Sequence, residues 1–338
     1  MKETVRFRPL AAVMSLVALP AAAHHSPAQF DLTRDETLEG TVSGVSWRNP
    51  HVYFELDVTG PDGTPVTRRI EAGGASNMAA LGFDANAVRV GERVVVHVKP
   101  NRRGGDATAL GWMLTKADGT AIPLHVRAIP PTPPGIAEAS SLAGTWVPQA
   151  AGFAALAAAA REWPLTDAGR AAIDATREAR DASRSACVPF GPPALMLLPS
   201  AVIVELGDTD VRFRLDVMGA ERIVHLDRAE HPADLEPSLH GDSIGRWDGD
   251  TLVVDTIGYR AHPDGYSFDL PSSASKHIVE RFTLTADRKH IDYEAVVEDP
   301  EYLAAPVTHR ARWDYRPEQK PSNVPCDRDA AGRFTLDE

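Results

Sequence analysis

The sequence predicts an all-β protein built as two β-barrels, a small one followed by a larger antiparallel one with one short helix. Three observations carry that expectation. Short segments alternating apolar and polar residues recur along most of the chain, the period-two pattern of half-buried strands. They fall into two groups separated by Ile129-Pro-Pro-Thr-Pro-Pro-Gly135, where the prolines favour an extended, semi-rigid spacer. Between the polar run that ends in Arg246-Trp247 and the apolar run Leu252-Val253-Val254 stands Asp248-Gly249-Asp250. Asp and Gly tolerate the positive φ of a tight turn, so this reads as a β-hairpin in the middle of a sheet.

Residues 1–23 read as an export signal. Lys2, Arg6 and Arg8 precede an apolar centre from Leu10 to Leu19, and Ala21-Ala22-Ala23 ends it as a cleavage site. Cleavage there makes His24 the first residue of a periplasmic or secreted chain. No later apolar run approaches the ~20 residues of a membrane span. A formal net charge of −12 argues against nucleic acid and anionic membrane as partners. Cys187 and Cys326 are the chain's two cysteines. In an exported protein an even pair reads as a disulfide. Joint metal ligation is the alternative, though neither lies in a Cys-x-x-Cys pair.

The first barrel is expected over residues 24–127. Thr37–Val45 and Val52–Val58 alternate, Gly60-Pro61-Asp62-Gly63 turns the chain, and Arg68–Ala72 gives a third strand. Asn77–Leu81 has the makings of one helical turn; Val94–Val98 and Ala109–Leu114 complete the set. Five short strands with one small helix suggest an OB-like barrel, with a sandwich as the competing arrangement. Ala23-His24-His25-Ser26, Gly40-Thr41-Val42, Trp47-Arg48-Asn49-Pro50-His51, Gly73-Gly74 and Val90-Gly91-Glu92 together resemble an exported bacterial domain family of unknown function. That resemblance covers the first third of the chain and implies no activity.

After the linker (128–139), residues 140–326 form the second domain, with 327–338 as a C-terminal tail. Gly144-Thr145-Trp146 at the head of a β meander is similar to the first strand of lipocalin-like (calycin-like) barrels. Pro164 and Thr166 signal a helix start, followed by the alanines of residues 168–175. Strands are expected at 201–206, 211–216, 222–227, 251–256, 277–284, 290–298 and 307–315. With the Trp146 strand these make eight, enough for a closed barrel around one ligand-sized interior. Gly245-Arg246-Trp247 with Gly249–Thr256, Val279–Phe282 and Glu298-Asp299-Pro300 resemble a second, functionally unassigned group of exported proteins.

Strand parity then selects candidate site residues. Glu280 shares a face with Ile278 and Phe282, His309 with Ala311 and Trp313, and His225 with Ile223. A carboxylate and imidazoles inside an apolar barrel have shifted pKa values, the condition for acid–base chemistry. The alternative is an internal ion pair of Glu280 with an arginine such as Arg246. Trp146, His240, Trp247, Phe282 and Trp313 are the expected lining for a small, largely apolar ligand. At the mature N-terminus, the His24 amine and imidazole, with His25 and His51, make a nitrogen-rich set suited to copper. His240-Gly-Asp242-Ser243 is no triad by adjacency alone, and no Gly-x-Ser-x-Gly elbow, phosphate loop or dinucleotide fingerprint occurs. The sequence therefore points to an exported small-ligand-binding protein. A periplasmic lyase, isomerase or hydrolase working through Glu280, or an interaction module in the first domain, are the alternatives.

Overall fold

The computed structural model describes residues 29–60, 62–104, 108–125, 128, 137–329 and 331. The expected export signal, His24, His25, most of the proline linker and the end of the tail lie outside the described residues.

The first domain runs β1 (Glu36–Ser46), β2 (Tyr53–Thr59), β3 (Pro65–Glu71), α1 (Ala75–Ala80), β4 (Arg93–Lys99), β5 (Ala109–Lys116) and β6 (Ala121–Pro123). Strands β3-β2-β1-β4-β5 follow one another in the sheet, and a parallel pairing of β3 with β5 closes it into the expected five-stranded barrel. β6 adds to the edge of β5. The alternation in the sequence becomes the core: Val42, Phe54, Leu56, Ile70, Val94, Val96, Val98 and Leu114 are all buried. Gly40 lets β1 and β2 approach closely, because a Cβ there would lie 2.3 Å from the Asp57 carbonyl oxygen.

The second domain begins with β7 (Gly144–Pro148), then α2 (Ala150–Ala159), α3 (Asp167–Ala175) and α4 (Arg177–Ser185). β8 (Val202–Leu206), β9 (Asp210–Leu215), β10 (Glu221–His225), β11 (Asp242–Asp248), β12 (Thr251–Ile257) and the small hairpin β13 (His262–Ser267) and β14 (Leu270–Ser272) follow. β15 (His277–Leu284), β16 (His290–Glu298) and β17 (Val307–Tyr315) complete it. Nine strands close the barrel in the order β7-β8-β9-β10-β11-β12-β15-β16-β17. The expected count of eight lacked β11, the first arm of the Asp248-Gly249 hairpin. That hairpin forms as read, with Asp248 opposite Thr251 and Gly249 at φ 59°. The expected helix is α3, where the Thr166 hydroxyl caps the first turn by accepting from the Gly169 amide at 3.0 Å. α2 and α4 are additions.

The chain after β17 returns to the first domain. Asn49 donates through Nδ2 to the Val324 carbonyl (2.8 Å), accepts the Asp327 amide on its own carbonyl (2.9 Å), and forms a bridge with Cys326. Arg48 donates to Asp327 at 2.9 Å. The Trp-x-Asn-Pro-His motif is thus the anchor for this returning segment. Cys187 and Cys326 are disulfide-bonded, with 6.1 Å between their Cα atoms.

Candidate functional site

Large aromatic rings pack together inside the large barrel. Phe213 and Phe282 lie 5.0 Å apart, Phe282 and Trp313 5.5 Å, and Tyr293 and Trp313 5.9 Å, measured between ring centroids. Trp146, Phe282 and Trp313 are each fully buried. Trp146, Phe282 and Trp313 belong to the packed core. A barrel of this width is filled readily by four large rings. Trp247, the fourth expected aromatic lining residue, stands 45% exposed near the hairpin tip.

Glu280 points inward as its parity requires and is fully buried. Its partner is not Arg246, which is exposed on β11; it is Arg222 on β10. Arg222 donates through Nη2 to Glu280 Oε2 and to Thr256 Oγ1 (2.8 Å), and both Nε and Nη2 reach Ser243 Oγ at 3.2 Å. The Tyr293 hydroxyl donates to the other Glu280 oxygen at 2.9 Å. Burial opposes the guanidinium charge, yet the carboxylate outweighs it and holds the Arg222 pKa above its ordinary value. Burial likewise drives the Tyr293 hydroxyl up. The network is a closed internal ion pair with hydroxyl support.

His225 was expected inside with Ile223. The structure reverses that strand: Arg222 and Val224 are buried, Ile223 is 38% exposed, and His225 lies outside, 3.9 Å from Asp227. The reversal brings Arg222 to Glu280, which no outward arginine could reach. A signal for it existed, since apolar Ala220 and Val224 flank Arg222 at two-residue spacing. His309 is buried as expected, but its Nε2 is engaged with the Gly152 carbonyl of α2 at 3.1 Å. Burial lowers its pKa. The β register places Ala295 between Glu280 and His309 on neighbouring strands, so the two do not face each other as an acid–base pair.

The seam between β10 and β11 differs from the rest of the barrel. Every other neighbouring pair in the barrel is antiparallel; this one is parallel and holds only Val224 to Ser243 and His225 to Ile244. The residues between them cross over as the segment 226–241. Below the paired residues, a cleft of about 250 Å³ is lined by Arg222, Ser238, His240, Gly241 and Ser243, among others. His240 spans the gap, with Nδ1 3.0 Å from the Glu221 carbonyl. A carbonyl only accepts, so Nδ1 carries the hydrogen and Nε2 is left as a bare acceptor. Burial pushes the His240 pKa down to about 4, and the positive charges of Arg222 and Lys276 act in the same direction. Two buried atoms of residues that line this cleft have no hydrogen-bond partner among the described residues: His240 Nε2 and Arg222 Nη1.

The crossover segment is tied to the barrel wall by an alternating chain of side chains. His231 lies between Asp242 (Nδ1, 2.7 Å) and Asp255 (Nε2, 3.0 Å), while His277 lies between Asp255 (Nε2, 3.1 Å) and Glu298 (Nδ1, 3.3 Å). Carboxylates only accept, so the imidazolium form satisfies both sides of His231. Neither histidine was among the expected site residues, and neither were Arg222 and Ser243.

Acid should weaken the fold through two buried histidines. His262 accepts the Asp264 amide on Nδ1 at 3.0 Å, and burial pushes its pKa down to about 4, as for His240. Unfolded histidine titrates near 6.5, so the unfolded chain binds more protons than the folded one between these values. The stabilisation is therefore complete above about pH 6.5 and is lost as pH falls towards 4. Thermal unfolding should show a declining Tm over that window, with a shallower decline in His262→Gln. Identical slopes for the two proteins would refute the assignment to His262.

The expected copper set involves His24 and His25, which lie outside the described residues. His51 is half-buried, with Nδ1 3.2 Å from the Ala72 carbonyl and 3.4 Å from Glu71 Oε1. Among the described residues no group of three or more His, Cys, Asp or Glu side chains is arranged to hold a metal ion.

Comparison with known proteins bears on the first domain. Residues 12–110 match the model of a family described as "Family of unknown function (DUF6152)". The matched stretch takes in the Trp-x-Asn-Pro-His motif and ends within β5, so it covers most of the first barrel and none of the second. No curated protein and no solved structure matches the chain. The seam cleft thus lies in the part of the chain beyond the family match.

Proposed function

We propose that the protein is an exported small-ligand-binding protein whose ligand seats at the β10–β11 seam of the second barrel. One observation carries this reading. At the one parallel seam of the second barrel, two buried atoms of opposite hydrogen-bonding sense, Arg222 Nη1 and His240 Nε2, belong to residues that line one cleft and lack partners among the described residues. An unsatisfied buried polar group costs about 1–3 kcal/mol, and binding sites are where such costs are retained. Because the aromatic rings inside the barrel pack against one another, we seat the ligand at the barrel wall rather than in its interior and take it as polar rather than apolar. Binding is favoured over catalysis by Glu280 because both carboxylate oxygens are already engaged, by Arg222 and Tyr293. Export is supported by the basic start, apolar centre and Ala-x-Ala end of residues 1–23, and by the disulfide.

Ligand-observed NMR against a panel of small polar fragments tests the seat. Fragments that bind the full-length protein should lose binding to His240→Leu, a variant that retains bulk and removes the acceptor. A panel in which no binder is lost in that variant would place recognition elsewhere and overturn the proposal.

A further inference from the structure

We infer that the protein self-associates through β11, whose free edge at Arg246-Trp247-Asp248 pairs antiparallel with the same edge of a second copy.

The free edge follows from the shortness of the seam. β11 pairs with β12 along its whole length, as far as Asp248 opposite Thr251. On its other side it pairs with β10 only at Ser243 and Ile244. Leu226, the residue after β10, packs against Gly245, within 3.0 Å of where a Cβ would stand. From there the chain turns back towards Asp242, which Arg228 and His231 both contact. Among the described residues no strand therefore flanks Arg246, Trp247 and Asp248 on that side, and all three are exposed. Backbone groups along an open edge are a template for another strand. Pairing there needs no displacement of the chain.

Strand alternation assigns the faces. Trp247 shares a face with Ser243, and with Leu252 opposite it on β12, both of them buried. It therefore projects from the inner face at the end of the barrel, where it stands 45% exposed. Arg246 and Asp248 project from the outer face. Asp248 meets Arg281 at 3.0 Å, whereas Arg246 has no ion-pair partner among the described residues.

The order of these three residues selects a second copy as the occupant. Reversed, Arg-Trp-Asp becomes Asp-Trp-Arg, so an antiparallel copy brings each charge to its opposite. With the two-fold axis between the Trp247 residues, Arg246 stands opposite Asp248 of the second copy, and Asp248 opposite its Arg246. Two cross-strand charge pairs form on the outer face, and Arg246 gains a partner. On the inner face the two Trp247 rings meet across the axis and shield each other from water. A parallel copy in register would set arginine against arginine and aspartate against aspartate. The net charge of −12 on each chain opposes association at low salt. An edge of three residues also buries little area, so the dimer is weak and reversible, with a Kd on the order of 100 μM.

Sedimentation equilibrium of the full-length, disulfide-bonded protein in physiological salt, from about 5 to about 500 μM, tests the pairing. The average mass should rise from one chain towards two across this range. Arg246→Asp sets aspartate against aspartate at both pairs and should weaken the Kd about tenfold or more. Asp248→Arg should do the same with opposed arginines. An equimolar mixture of the two variants should dimerise again, because each copy then offers the charge that the other needs. Recovery on mixing separates a lost contact from a misfolded chain. Unchanged protein that stays monomeric to about 500 μM would overturn the inference. A dimer that Arg246→Asp leaves intact, or a mixture that remains monomeric, would overturn it equally.

Discussion

Glu280→Gln should destabilise the protein by about 3–5 kcal/mol, the scale for removing one partner of a buried ion pair. The substitution hardly changes volume, so packing is not the cause. Arg222 is 2% exposed and pairs with no second carboxylate among the described residues, so its charge would be left uncompensated in the barrel. The new amide would keep one oxygen for Arg222 but put an N–H where the Tyr293 hydroxyl now donates, so that hydroxyl would have to turn and accept. Replacing both partners with apolar residues, as in Arg222→Met with Glu280→Leu, should recover much of the loss, because neither charge is then buried alone. Urea unfolding of the single and double variants measures this directly. A loss below about 1 kcal/mol for Glu280→Gln would mean the pair is not buried as described.

Opening the Cys187–Cys326 bond should cost about 2–5 kcal/mol and should also release the returning C-terminal segment. The bond joins residues 139 apart in sequence, and loops of that length give near the largest entropic effect in chain-closure models. It ties the end of α4, in the second domain, to the segment held by Arg48 and Asn49 of the first. Cys326→Ser should therefore lower the urea midpoint and make the chain beyond residue 318 more susceptible to limited proteolysis. An equal midpoint and an unchanged cleavage pattern would show that the hydrogen bonds from Asn49 and Asp216 hold the segment without the crosslink. Asp216 is the second anchor, accepting both the amide and the hydroxyl of Ser322 at 2.9 and 3.0 Å.

Much of the architecture was legible because period-two alternation is a local property. β9 shows it plainly: Val211, Phe213 and Leu215 face inward while Arg212 and Arg214 point out. β15 and β16 obey the same rule, which is why Glu280 was placed inside without a structure. β10 is different. Its five residues include Glu221, Arg222 and His225, and the isoleucine among them faces solvent. A strand that short and that polar does not declare its face, and a one-residue change of parity exchanges His225 for Arg222 as the inward residue. β11 was missed for a related reason. Gly245 with Arg246-Trp247 breaks the apolar pattern, and its parallel pairing to β10 follows a crossover that no local signal specifies.

The candidate site was legible only in part. His240 was expected to line a ligand; the structure sets it against a carbonyl nineteen positions away, at the β10–β11 seam. Arg222 was passed over as a site residue because beside Ile223 it reads as an exposed charge, and the two-residue spacing of Ala220 and Val224 around it is a weak counter-signal in so short a strand. The same holds for His231 and His277, whose partners Asp242, Asp255 and Glu298 come from three different strands.

By itself the sequence determined the all-β class, the Asp-Gly hairpin, the capped helix at Thr166, the inward direction of Glu280 and, with only two cysteines, the identity of the crosslink. These depend on the periodicity, turn chemistry and composition that neighbouring residues carry between them. Tertiary structure alone decided that Arg222 meets Glu280, that four aromatics pack together inside the barrel, and that a parallel seam lies beside His240. Each of these is a contact between strands far apart in the chain, selected by the closure of nine strands and the desolvation of one charge, and no local pattern of residues encodes it.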